Sequence, residues 1–289
     1  MWQPLLLSAG CIPALILLAA VYIDRWRRKQ RGERQPLSEK LLRPAGYSLQ
    51  RKIENLNDSF IFWFMGSFLF TFPAILFPFL TRADAKAHIV FAVVLGLPAA
   101  VCTILAWRKL WDIRSHRMGL LGEQAVAEQL QPLFASGYQI FHDIPCEKND
   151  CKWNVDHAVV GPAGVFAIET KYRNKKPGKA GEQDHKATFD GNRIEFASGD
   201  YDARAAGQAR DNANWLATML SKTTGERVAV QPIVALPGWW VTLKANSDVK
   251  VLSGKQVAGY IAKEPAQLSE KAIQQISYQL DQRCRDVEF

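Results

Sequence analysis

The stretch Asp156-His157-Ala158-Val159-Val160-Gly161-Pro162-Ala163-Gly164-Val165-Phe166-Ala167-Ile168-Glu169-Thr170-Lys171 decides the fold of this chain. Two apolar runs flank a Gly-Pro-Ala-Gly tetrad. Gly and Pro supply turn dihedrals, and with apolar flanks the stretch reads as strand, tight turn, strand. Residues two apart in a strand share a face, so Glu169 and Lys171 project together while Ile168 and Thr170 project the other way. Closing the hairpin carries Asp156 back beside Glu169.

Two carboxylates and an amine so placed suit metal-assisted hydrolysis of a phosphodiester. A divalent ion stabilises charge on phosphoryl oxygens and lowers the pKa of bound water, and a neighbouring lysine orients or deprotonates that water. Oxygen ligands favour Mg²⁺ or Mn²⁺. On spacing alone, the same residues equally describe a hairpin carrying a solvated ion pair.

Working outward, the 289 residues fall into two unlike parts, 1–117 and 118–289. In the first, the stretches 4–23, 59–80 and 88–107 carry no Asp, Glu, Lys or Arg. Each is about the 20 residues that a helix needs to cross the hydrocarbon layer, so the expectation is a three-helix membrane anchor in contact with the lipid bilayer. The run 4–23 reads as a retained anchor rather than a cleaved signal peptide, because no basic segment precedes it. The loop 24–58 holds most of the basic residues between spans, so by the positive-inside tendency it is cytoplasmic. Three crossings then place the amino terminus outside the cell (inner) membrane and the domain 118–289 in the cytoplasm. The loop itself reads as a charged connector that orients the helices.

Residues 1–117 carry 16 Lys and Arg against 7 Asp and Glu, whereas 118–289 carry 20 against 21. The basic excess therefore belongs to membrane topology and does not argue for nucleic-acid binding. A nucleic-acid partner needs a local patch. Arg173, Lys175, Lys176 and Lys179, directly after the Glu169-Lys171 strand, are the candidate, with a solvated loop as the alternative.

In the second part, 119–134 has helical spacing, and Glu123 falls in its apolar stripe. An acid there points inward and wants a metal or a cation as partner. The sequence predicts a strand over 138–144, a polar loop over 145–154, the Asp156 hairpin, and a further hairpin about Asp190-Gly191. A helix over 203–222 follows, with Gln208 and Asn212 heading its apolar stripe. Strands over 228–236 and 249–252 and helices over 255–262 and 269–283 complete an α/β pattern. His142, Cys146, Cys151 and His157 are spaced for a zinc site only in an uncommon way, and free thiols in a loop are the alternative reading.

With Gly119-Leu120-Leu121-Gly122-Glu123, then Asp156-His157-Ala158-Val159-Val160, then Gly164 to Lys171 in that order, this part resembles the NERD family, the nuclease-related domain. The family is grouped with the PD-(D/E)XK restriction-endonuclease-like nucleases. The resemblance implies an α/β fold with a mixed sheet flanked by helices. It implies that Asp156 and Glu169 are metal-binding acids, Lys171 the catalytic lysine and Glu123 the acid of the first helix, with Gln208 at a polar helix position. Together with the reading of the residues, this gives a membrane-anchored, Mg²⁺-dependent nuclease acting on DNA, in which the Thr170 carbonyl adds a metal ligand. The alternative is a catalytically silent module that tethers nucleic acid or protein to the membrane.

Overall fold

The computed structural model describes residues 20, 23–24, 26–27, 40–80, 84–178 and 183–287. The described chain divides into two compact units, one containing Phe62–Leu105 and the other Leu41–Ile61 with Ala106–Phe289.

Residues 62–80 of helix α1 (Tyr47–Leu80) and 85–105 of helix α2 (Ala85–Leu130) supply the first unit. Both are long and apolar enough to cross a membrane. Gly66 leaves room for the Cys102 thiol, Ser67 Oγ and Thr103 Oγ1 lie 2.7 Å apart, and the ring of Phe77 stacks on that of Phe91. Many of their other apolar side chains point away from protein: Phe62 and Leu69 are 67% exposed and Leu97 is 66% exposed. Water would penalise that surface and hydrocarbon would not. The expected span 4–23 lies outside the described residues, apart from positions 20 and 23.

The second unit is built on a five-stranded mixed sheet. Its strands are β2 (Gln139–Lys148), β3 (Cys151–Gly161), β4 (Gly164–Thr170), β8 (Val230–Leu236) and β10 (Lys250–Ser253), in the spatial order β10-β8-β4-β3-β2. The pairs β2/β3 and β3/β4 are antiparallel, whereas β4/β8 and β8/β10 are parallel. Alternation along the hairpin buries both faces. Ala158, Val160, Val165 and Ala167 pack against helices α3 (Ala205–Thr224) and α5 (Glu270–Cys284). Val159, Phe166 and Ile168 face the end of α2 and helix α4 (Gly254–Ile261). The result is a sheet between two helical layers. Strands β5 (Lys186–Phe189), β6 (Ile194–Phe196), β7 (Tyr201–Asp202) and β9 (Trp240–Leu243) form a smaller sheet in the order β7-β6-β5-β9.

Two features depart from expectation. The segment 145–154 is not a loop: β2 and β3 continue through it and close at Asn149-Asp150, with φ of 49° and 64°. Two successive positive φ values are the signature of a type I′ hairpin turn, which Asn and Asp tolerate. The segment 41–48 is more than a connector. Strand β1 (Leu41–Leu42) pairs with β11 (Arg285–Val287), and Arg43 binds Asp286 and Asp143.

Candidate functional site

The pairs His157↔Ile168 and Ala158↔Ala167 fix the hairpin register. One step further along the same register, Asp156 stands opposite Glu169, on the same face of the sheet as an antiparallel ladder requires. Gly164, at φ 129°, closes the turn in a conformation that L side chains rarely adopt. The two acids are then tied locally: the Thr170 backbone N–H donates to Asp156 Oδ2 at 2.7 Å.

Glu169 is 3% exposed and fully engaged. Its Oε1 accepts from Lys171 Nζ at 2.8 Å, and its Oε2 accepts from Asn212 Nδ2 at 2.8 Å. Lys171 Nζ also donates to Gln208 Oε1 at 2.8 Å. Gln208 and Asn212 are one helical turn apart on α3, so a single face of that helix grips both members of the Glu169-Lys171 pair. Asn212 is held in turn, since its Oδ1 accepts from Trp153 Nε1 at 3.1 Å. An ammonium carries three donors, of which two are spent here. The third is left for a ligand.

Glu123 reaches the same region from α2. Glycines make this possible: a Cβ at Gly122 would meet the Tyr172 Cβ at 2.6 Å, and one at Gly119 would meet Leu49 at 3.2 Å. Gly122 is thus a packing requirement that lets α2 approach the segment directly after β4, while Gly119 serves the packing of α2 on α1. Glu123 Oε2 and Thr170 Oγ1 are buried without a hydrogen-bond partner among the described residues.

The electrostatics follow from burial and from crowding of like charge. Burial, then Asp143 and Glu169, push the Glu123 carboxyl up to about 8. Asp156 is raised well above its ordinary value by burial, then by Glu169 and Glu123. Glu169 is raised by burial, against the opposing pull of Lys171 and Asn212. Three acids that suppress one another's ionisation form a pocket that favours a cation. Among the described residues no three His, Cys, Asp or Glu side chains are set to hold a metal ion together. The donor set is nonetheless hard oxygen, and its orphaned Glu123 oxygen fits Mg²⁺ or Mn²⁺ better than a thiophilic ion.

A fourth acid escaped sequence reading. Asp143 is wholly buried at φ 50°, and its carboxylate accepts from Arg43 Nη1, from the Ser48 N–H and hydroxyl, and from Asn154 Nδ2. It lies in a strand of ordinary appearance, and its cation comes from 100 residues away. Asn212 was visible as a polar residue on an apolar stripe. Trp153 had no signal at all.

The basic loop after β4 is largely spent on neighbouring acids. Arg173 pairs with Asp202 at 3.2 Å and Lys176 with Asp200 at 2.7 Å. Lys175 is exposed, and Lys179 lies outside the described residues. Nor do the cysteine and histidine candidates assemble. Cys146 is buried with its thiol toward the Ile144 carbonyl, and Cys151 is exposed at the hairpin end. His142 and His157 face each other with Nδ1 atoms 2.8 Å apart; burial pushes His142 down to about 4, and burial, then His142, holds His157 well below its ordinary value.

Beside the acids, α3 and the β2/β3 hairpin border a groove of about 1210 Å³ whose lining includes Gln208 and Asn212.

Residues 118–237 match the profile of NERD, the nuclease-related domain. Neither the curated proteins nor the solved structures returned a match. The matched range contains every strand and side chain of the acid cluster, from Glu123 through Asn212, and it stops short of α4 and α5.

Proposed function

We propose that this chain is a membrane-anchored, metal-dependent nuclease that hydrolyses phosphodiester bonds, with DNA as substrate, at the cytoplasmic face of the membrane. The observation that carries the reading is the pairing of Asp156 and Glu169 across one strand pair, with Lys171 Nζ on Glu169. The match to a nuclease-related domain over the same residues supports it. The two long apolar helices support membrane attachment.

Asp156 and Glu169 would hold a divalent ion, with the Thr170 carbonyl as a further oxygen and Glu123 helping to position metal or water. When bound, that ion supplies charge neutralisation at the phosphate and a lowered pKa for water. The protein groups do the positioning. Asn212 and Lys171 fix the two oxygens of Glu169, so the carboxylate pays no reorientation cost when substrate arrives. Gln208 aims Lys171, whose remaining N–H meets a phosphoryl oxygen and favours the negative charge that develops there.

The test is nicking of supercoiled plasmid by the purified full-length chain in detergent, with Mg²⁺ or Mn²⁺ and with EDTA. Metal-dependent cleavage that Glu169→Gln and Lys171→Ala both abolish is expected. Cleavage left intact by both substitutions overturns the assignment. Metal-independent retention of DNA with no turnover favours the silent binding module.

A further inference from the structure

The groove beside the acids is built differently from the basic loop, and it points to a particular form of substrate. Its walls are the β2/β3 hairpin, which contributes Lys148 and Trp153, and α3 with the residue that caps its start, which contribute Asp211, Trp215 and Arg204. Gln208 and Asn212 belong both to the groove and to the hydrogen bonds that hold Lys171 and Glu169. A molecule lying in the groove therefore runs directly to the acid cluster. At about 1210 Å³ the groove exceeds the roughly 300–1,000 Å³ of a small-molecule site, which suits a chain-like occupant.

Its two cations are uncommitted. Neither Lys148 nor Arg204 makes an ion pair with a described residue, whereas Arg173 and Lys176 of the basic loop both do. Two cations against the single carboxylate of Asp211 make a local positive patch in a region that is otherwise balanced in charge.

The aromatic pair sets the kind of contact. Trp153 and Trp215 lie edge to face, with ring centres 5.8 Å apart, and the Arg283 guanidinium sits 5.0 Å from the Trp215 ring centre. Both indole N–H groups are already used, Trp153 on Asn212 Oδ1 and Trp215 on the Glu147 carbonyl. The rings are thereby held in place, half-buried against the core, and carbon is what they contribute to the groove lining. Such surfaces stack on bases without reading their edges, and a base can stack only once it has left the duplex.

We infer that this groove binds single-stranded nucleic acid, stacking unpaired bases on Trp153 and Trp215 and meeting backbone phosphates with Lys148 and Arg204. The inference rests on the reading of the neighbouring acids as acting on nucleic acid, but it concerns binding and needs no turnover. It also gives the Trp153-Asn212-Glu169 relay a purpose: a base seated on Trp153 presses on the hydrogen bonds that orient the acid.

The experiment is fluorescence anisotropy of a labelled thymidine 12-mer, single-stranded or annealed to its complement, with the full-length chain in detergent and EDTA. Tighter binding of the single strand is expected. Trp215→Leu is expected to weaken it about tenfold, the scale of one lost base stack, and Lys148→Glu and Arg204→Glu to weaken it and lower its salt dependence. Both charge reversals are at exposed positions, so the test does not depend on Trp215→Leu folding. Equal affinity for both strand forms, or wild-type affinity in both charge-reversal variants, overturns the inference. Plasmid cleavage scored separately keeps the two readings apart. Cleavage with no groove-dependent binding leaves the hydrolytic reading standing and removes this one; groove-dependent binding without cleavage does the reverse.

Discussion

Asn212 Nδ2 donates to Glu169 Oε2 at 2.8 Å while Lys171 occupies the other oxygen of the same carboxylate at the same distance. Glu169 is thus clamped from two sides, by its own strand and by α3. A buried carboxylate that loses one of two donors keeps its desolvation cost and loses its compensation.

Asn212→Leu removes that donor at a position 2% exposed. Stability is expected to fall by about 1–3 kcal/mol in thermal or chemical unfolding. Turnover is expected to fall about 10–100-fold, as for other groups that orient a ligand carboxylate. Because the Asn212 bond lowers the Glu169 pKa, its loss moves the acid limb of the pH–rate profile to higher pH. An unmoved limb would show that the amide does not tune this acid.

Glu123 makes stability depend on pH. Burial, Asp143 and Glu169 raise its carboxyl from 4.5 to about 8, so in the absence of metal the folded state holds a proton there that the unfolded state has released. Stability is therefore highest below about 4.5 for this group and falls as pH rises from about 4.5 to about 8. Melting temperatures in EDTA at pH 6 and pH 8 should show the decline, and Glu123→Gln should flatten it.

Metal binding should run against that slope. Divalent ions displace the protons that the crowded acids retain, so Mg²⁺ or Mn²⁺ is expected to bind more tightly at pH 8 than at pH 6 and to release protons on binding. Calorimetric titration in two buffers of different ionisation enthalpy counts those protons. At 100 times the dissociation constant the ion should stabilise the fold by about 2.7 kcal/mol. Asp156→Asn should remove most of the effect.

Gly122 tests the packing that brings α2 to the site. Helix propensity alone favours Ala over Gly by about 1 kcal/mol. Here the new Cβ would stand 2.6 Å from the Tyr172 Cβ, a contact that the chain must move to relieve, at a cost of typically about 1–3 kcal/mol. Gly122→Ala is therefore expected to lower the melting temperature and, because Tyr172 follows Lys171 directly, to reduce turnover. A stabilised variant would mean that the approach is looser than the geometry requires.

The hairpin was legible from residues 156–171 because each part of its signal is local. Turn residues, alternation and the shared face of Glu169 and Lys171 are properties of a short stretch, and the observed register agrees with them. The same holds for the apolar helices, whose length and composition need no tertiary context. The segment 145–154 reads as a loop because its polar residues obscure two strands whose inward positions within it are Cys146, buried, and Trp153, packed against the core. Its Asn149-Asp150 turn was the available cue.

By itself, the sequence determined the β-hairpin with its acids on one face and the separation of an apolar part from a charge-balanced one. Tertiary structure alone decided where the cations are spent: Arg173 and Lys176 on Asp202 and Asp200, Arg43 on Asp143 and Asp286, and Lys171 between Glu169 and Gln208. It also decided that Trp153 should reach Asn212, 59 residues away. The physical reason is range. Backbone dihedrals and side-chain alternation act over a few residues, whereas a hydrogen bond or ion pair depends on sheet register and helix packing that bring distant segments within about 3 Å.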